Sequence, residues 1–393
     1  MIKNITDSVK YIGTDDLNLD LFESQYVVPE GMAYNSYLIE DEKIAIMDTT
    51  DDATASAWKE NLAEALGGRT PDYLVSLHVE PDHASLIAWA LETYPQLKLV
   101  ASAKAISMIP QFFEGLDLTG RTIAVKEGEE LSLGSRSLKF FAAAMIHWPE
   151  VMVAFDTKEG LLFSADAFGK FGALSKCGFT SRDDDDWACE ARRYYFNICG
   201  KYGVQVQKLL KKLSSVDVKT VCPLHGPVLV SDLKYYFDLY YTWSSYGVET
   251  DGVFIAYASI HGGTAKAAEQ LADILKAKGC PKVVCTDLCR SDLAENIEDA
   301  FRYGKMVVAA SSYDATLFPP MHDFLWHLQI KGYQKRTVAV IENGSWAPSA
   351  GRVMREMLSA MKDVTVIDQT LTIKSTPKPA DTAALEAIAE ALL

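Results

Sequence analysis

Near residue 250 the rhythm of this 393-residue chain changes, and that change limits its fold more than any other feature. Downstream, short apolar runs alternate regularly with helix-patterned stretches. VFIAYAS (253–259) leads into a Gly-rich turn and AKAAEQLADILKAKG. VVCTDL, a helical stretch from about 291, MVVAAS (306–311) and a helix over 321–331 follow. TVAVIE (337–342), a helix over 350–362, VTVIDQTL and a final helix over 380–392 complete the series. Such β-α alternation predicts a doubly wound parallel sheet that holds its ligand at the C-terminal edge of the strands.

Upstream the alternation is irregular. AYNSYLI (33–39) and KIAIMDT (43–49) read as neighbouring strands, and 53–65 as a helix with Asp51 or Asp52 as N-cap. Strand 72–77, a helix over 83–94, strand 97–101 and a helix from about 103 follow. A second strand-rich block (SLKFFAAAM, VMVAFD, GLLFSA) precedes a helical region over 187–215, strand 220–224 and helix 231–244. Two strand blocks flanked by helices predict an αββα sandwich. The boundary is expected within 244–252, dividing the chain into 1–248 and 249–393.

Composition narrows the function classes. With 49% hydrophobic and 23% charged residues, each half can bury a core. A formal charge of −15 argues against nucleic acid or an anionic membrane as partner. No stretch approaches the roughly 20 apolar residues of a membrane span. The first residues, MIKNITDSVKYIG, lack a secretory pattern, so a cytoplasmic location is expected. Seven cysteines, an odd number without a CxxC pair, fit unpaired thiols in a reducing compartment better than a disulfide framework or a thiolate metal site.

Chemistry concentrates at strand ends. SLHVEPDHASL (76–86) packs His78, Glu80, Asp82 and His83 directly after an apolar run. His147 follows FFAAAMI, Asp166 follows LLFSA and His225 follows VCPL. Imidazoles and carboxylates suit borderline and harder transition metals, and seven such groups exceed what one tetrahedral ion needs. Two metals sharing a carboxylate would use them all. The acidic run Asp183–Asp186 reads instead as solvated charge ahead of a helix beginning near Trp187.

HxExDH followed by His147, Asp166 and His225 resembles the metallo-β-lactamase fold, and specifically its flavodiiron branch. GMAYNSYLI (31–39), HWPE (147–150), EARRYYFNI (190–198) and HGP (225–227) are further matches, and the resemblance spans both halves of the chain. Hydrolases of this superfamily carry HxHxDH and bind zinc; Glu80 stands where they have a histidine. The resemblance implies two irons: one held by His78, Glu80 and His147, the other by Asp82, His83 and His225, with Asp166 between them. An added anionic oxygen ligand favours higher-charge iron. Tyr195 is a candidate proton donor behind the ligands, or else a packing aromatic, and Tyr26 and Met32 are candidate pocket residues.

In the second half, ASIHGGTAKAAEQLA (258–272) turns from strand to helix. There Ser259, His261, Gly262, Gly263 and Thr264 can offer hydroxyls and N–H groups to a phosphate. It is not the dinucleotide pattern GxGxxG. Two further loops carry Ser312, Tyr313 and Asp314, and Gly344, Ser345, Trp346 and Ala347. Together they resemble flavodoxin, which implies FMN, although His261 and Gly263 depart from that family's usual phosphate loop. Either Tyr313 or Trp346 would stack on the ring, or both are packing aromatics.

The expected function is therefore a flavodiiron reductase of O2, NO or both. The resemblance further implies a head-to-tail homodimer, possibly a dimer of dimers, and an external donor, either a rubredoxin-type protein or a reduced deazaflavin. A zinc-type hydrolase with an appended flavodoxin, or a non-catalytic electron-transfer protein, are the rival readings.

Overall fold

A computed structural model describes residues 2–184 and 186–393, and chain contacts divide it into two compact units, 1–241 and 242–393. The division falls inside the helix Leu233–Ser244, ahead of the expected boundary at 248.

The first unit is built on two sheets. One has seven strands in the order Lys3–Asn4, Val9–Tyr11, Tyr37–Ile39, Ala45–Met47, Tyr73–Val75, Lys98–Ser102 and Thr122–Val125. The other has five, in the order Glu130–Ser132, Ser137–Ala142, Met152–Asp156, Leu161–Phe163 and Thr220–Cys222. The sheets face each other: Tyr37 packs edge-on against Phe163 at 5.4 Å and donates its hydroxyl to Pro223 O at 2.6 Å. On the outer face of the first sheet, Trp58 and Leu62 of the helix Ala55–Leu66 and Ile87 and Leu91 of the helix Ile87–Thr93 close a core over Ile46, Leu74 and Leu99. Near the second sheet, Lys212 of the helix Gly203–Leu213 donates to Ala142 O at 2.8 Å. These layers are the expected αββα sandwich.

Three local readings change. The segment 33–39 is not one strand. Met32–Tyr34 pairs with Thr14–Asp16 in a separate ribbon, and Tyr37–Ile39 joins the large sheet. The break is held by Asn35, whose Nδ2 donates to Pro223 O and Gly226 O, both at 2.8 Å. The helix expected over 83–94 is two pieces, Pro81–Ala84 and Ile87–Thr93. The short N-terminal strands, whose polar residues mask any alternation, were not expected at all. Asp51 does cap the turn before the first long helix, accepting from Ala53 N at 2.8 Å.

The acidic run is not simply solvated charge. Asp183 accepts from Thr180 N and Oγ1, and Asp184 pairs with Lys170. Asp186, at the N-cap of Trp187–Ile198, makes no side-chain capping bond. Asp185 lies outside the described residues.

In the second unit the strands run in the order Val283–Asp287, Thr250–Ala258, Tyr303–Tyr313, Arg336–Asn343 and Val364–Ile373, every one of these pairs parallel. In chain order this is 2-1-3-4-5, the doubly wound arrangement whose switch point lies between the first and third strands. Leu271 and Leu275 of the helix Gly263–Ala277 and Leu385, Ile388 and Leu392 of the last helix cover one face over Ile255, Val307 and Ile341.

Candidate metal centre and cofactor cleft

The density of ligands in 78–83 is a matter of local geometry. The strand ending at Val75 delivers His78, and Glu80 stands at the N-cap of the one-turn helix Pro81–Ala84, which presents Asp82 and His83. The preceding strand end clamps this loop. Asp48 Oδ1 accepts from Leu77 N at 2.7 Å and His78 N at 3.3 Å, and Thr49 Oγ1 donates to His83 O at 2.8 Å.

All seven sequence-predicted ligands converge in two adjoining groups. In the first, Glu80 Oε2 lies 3.2 Å from His78 Nε2 and 2.9 Å from His147 Nε2. Asp166 Oδ2 lies 3.4 and 3.1 Å from the same two nitrogens. In the second, Asp82 Oδ2 lies 3.3 Å from the Nε2 atoms of both His83 and His225. Asp166 reaches both groups, its Oδ1 standing 3.3 Å from His83 and 3.8 Å from His225.

The donor set fits metal cations. His83 and His225 turn Nε2 towards Nε2 at 3.1 Å, an arrangement that needs a proton or a cation between them. Both carboxylate oxygens of buried Asp82, and Oδ1 of Asp166, lack a hydrogen-bond partner. Outer partners orient two of the rings: His78 Nδ1 stands 2.7 Å from buried Glu150 Oε1, and His225 Nδ1 donates to Ala33 O at 2.8 Å. Such partners leave Nε2 as the metal-facing atom.

The protons report the same field. Burial disfavours charged His147, yet the carboxylates of Asp166 and Glu80 outweigh it and lift its pKa to about 9. Burial also opposes ionisation of Asp166, which His78, His147 and His83 nonetheless hold well below the carboxylate range. Metal ions would take the place of these protons.

Tyr195, the candidate proton donor, lies in an aromatic cluster. Its ring packs on Phe196 and Tyr240, each at 5.1 Å. The ring of its neighbour Tyr194 lies 5.6 Å from the His225 ring. Both tyrosines are fully buried, so no apolar periodicity separates them. Phe22, unremarked in the sequence, lies edge-on to His225 at 5.4 Å, whereas Tyr26 packs on Phe171 at 5.9 Å. Met32 is fully buried and bridges Gly172. Two further residues, Glu150 and Trp148, were present in HWPE without being read as part of the site. Trp148 stands edge-on to His78 at 5.3 Å.

The second unit carries a cleft of about 530 Å³ at the C-terminal ends of its strands. His261, Gly263, Thr264, Ser312, Tyr313, Asp314, Gly344, Ser345, Trp346 and Ala347 line it. Ser259 and Gly262 belong to the turn that adjoins it. Ser259 Oγ accepts from Gly262 N at 3.1 Å, shaping the turn, and Gly262 takes the left-handed φ of 82° that starts the helix. Asn343 and Ser375, which sequence reading missed, line the cleft as well and exchange two bonds of 3.0 Å.

This cleft fits a phosphorylated flat ring. The N-terminus of a 15-residue helix faces it with Thr264 beside it, as suits a phosphate. Trp346, 91% exposed, and Tyr313, 45% exposed, offer apolar faces at its rim.

Comparisons with known proteins agree with this fold. Residues 32–226 match the family model described as ODP family beta lactamase. A nitric oxide reductase of Moorella thermoacetica is 30% identical over 96% of this chain and 94% of its own length. A coenzyme F420H2 oxidase of Methanothermobacter marburgensis is 26% identical over 91% of this chain and 90% of its own. The solved rubredoxin oxygen:oxidoreductase of Desulfovibrio gigas superposes with a TM-score of 0.93 at 26% identity, covering 100% of this chain and 98% of that one. The αββα unit with its paired ligand groups, the flavodoxin-like sheet and these similarities along nearly the whole chain have one common explanation: it belongs to the flavodiiron protein family.

Proposed function

We propose that this protein is a cytoplasmic oxidoreductase that takes electrons through FMN and reduces O2 to water, NO to nitrous oxide, or both. The observation that carries the reading is the pair of adjoining ligand groups joined by Asp166, with Glu80 in the first. His78, Glu80 and His147 would hold one iron, Asp82, His83 and His225 the other, and Asp166 would contact both. Bound there, the irons would supply the redox chemistry on the diatomic gas, with the flavin as electron store.

The chain's own residues have definite tasks. Three carboxylates among the seven groups offset most of the charge of two divalent cations, which supports a buried pair of metals. Glu150 and Ala33 O orient the rings, while Phe22 and Tyr194 place apolar surface against His225 and keep bulk water from it. Thr264 and the first N–H groups of its helix would take the FMN phosphate, and Tyr313 and Trp346 the ring. The names of the relatives support a rubredoxin-type protein or a reduced deazaflavin as donor. A head-to-tail homodimer, possibly paired into a dimer of dimers, would bring one chain's flavin to its partner's metals.

The relatives are named as reductases and oxidases, which weighs against the zinc hydrolase reading. Metal and flavin analysis, with O2 and NO consumption by the reduced protein, is the direct test. Two irons and one FMN per chain with gas turnover are expected. Zinc with hydrolytic activity and no gas consumption would overturn the reading. Glu80→His should lower iron loading and abolish turnover; unchanged values would remove Glu80 from the argument.

A further inference from the structure

The segment that carries Asp166 and the loop that carries His225 lie side by side with almost nothing between them. A Cβ at Gly169 would stand 3.4 Å from His225 Cβ, and one at Gly226 would stand 2.5 Å from Lys170 Cγ. The stem of Lys170 is thus the side chain that spaces the two loops. Its ammonium is withdrawn from solvent, the side chain 4% exposed, and reaches Asp184 Oδ2 at 2.6 Å, itself 6% exposed. Asp184 is in turn held locally, its Oδ1 accepting from Asp186 N at 3.2 Å.

A buried lysine–aspartate pair is a poor source of net stability, because desolvating two charges costs about as much as their attraction returns. A methionine facing a leucine would fill the same space. What an ion pair adds is a defined length and direction.

We propose that Lys170 and Asp184 form a clasp that sets the position of Asp166 against His225, and so tunes the second metal position. The proposal rests on the ligand assignment given above. Lys170 follows Asp166 by one tight turn, held by Gly169 N donating to Asp166 O at 3.1 Å. Tension on Lys170 is therefore felt at the shared carboxylate, and its stem meets the loop of His225 directly. His78 is held by different contacts, with Asp48 clamping its loop and Glu150 its ring. The clasp acts through other residues, so Lys170 and Asp184 are positioning residues.

The test is Co2+ titration of the metal-free, FMN-loaded chain, followed by visible absorption, beside thermal melting. In Asp184→Asn the second Co2+ equivalent should weaken about 10- to 100-fold, as for other outer partners of metal ligands, and the first by clearly less, because it shares Asp166 but keeps His78, Glu80 and His147. Asp184→Glu should recover it. Equal weakening of both equivalents together with a lowered Tm would mean a merely structural pair and would overturn the proposal, as would unchanged binding. Should Asp184→Asn not fold, the double variant Lys170→Met with Asp184→Leu decides the matter. A parent-like Tm with a weakened second equivalent supports the clasp, and parent-like cobalt binding refutes it. An unmodified chain that binds no second Co2+ ion overturns the ligand assignment, and the clasp with it.

Discussion

Glu150 is the most informative residue to perturb, because it touches a ligand and is not one. Its carboxylate is buried, with Oε1 2.7 Å from His78 Nδ1 and accepting from Val79 N at 3.1 Å. A hydrogen bond to an ionised group contributes about 1.5–3 kcal/mol. At about 1.4 kcal/mol per factor of ten, losing the bond to His78 should weaken the first metal position about 10- to 150-fold. Glu150→Gln keeps an amide oxygen that can accept from the His78 and Val79 N–H groups, so the lower end of that range is expected. Glu150→Ala also strands the His78 and Val79 N–H groups in the interior and should reach the upper end. Chelator competition on the purified chain measures this directly, with circular dichroism to verify folding. The effect should fall on the His78 group and spare the one around His225. A folded Glu150→Ala protein that holds both metals as tightly as the parent would refute the orienting role.

Other consequences follow from the same geometry. In the metal-free chain His147 has a raised pKa of about 9. The stability this contributes is fully present below the ordinary histidine value of 6.5 and is lost as pH rises towards 9. Melting temperature should therefore fall across that window, and metal loading should remove the fall; a flat metal-free profile would contradict the carboxylate field. Gly263→Ala would set a Cβ 1.9 Å from Ser375 O, a backbone atom that cannot step aside. Such overpacking costs about 1–3 kcal/mol, and flavin retention during dialysis should drop. Tyr194→Phe should alter the spectrum of the metal-loaded centre, while Tyr195→Phe should change only thermal stability. The reverse result would restore Tyr195 to the site.

Much of this was legible because the signals are local. The ligands of SLHVEPDHASL fall within six positions, so their chemistry can be read without knowing the fold. Regular β-α alternation likewise announces a doubly wound sheet, since each strand and helix must show its own apolar period. The split of 33–39 was hidden, because the side chain that breaks the strand, Asn35, bonds to carbonyls nearly two hundred residues away.

Adjacent tyrosines expose the limit of sequence alone. Tyr194 and Tyr195 share composition, burial and helix, and only the packing of Phe171 and His225 on one side and Tyr240 on the other decides which of them meets the His225 ring. Asp184 is a second case: as one of four consecutive aspartates it reads as solvent-facing charge, and only Lys170, delivered by another loop, draws it inside. By itself the sequence determined the layered arrangement of strands and helices and pointed to seven candidate donors and the class of metal they suit, because strand periodicity and ligand type are properties of short segments. The tertiary structure alone decided how closely the donors approach one another, which neighbours orient them and which loops are held together. Those depend on long-range contacts that no local pattern encodes.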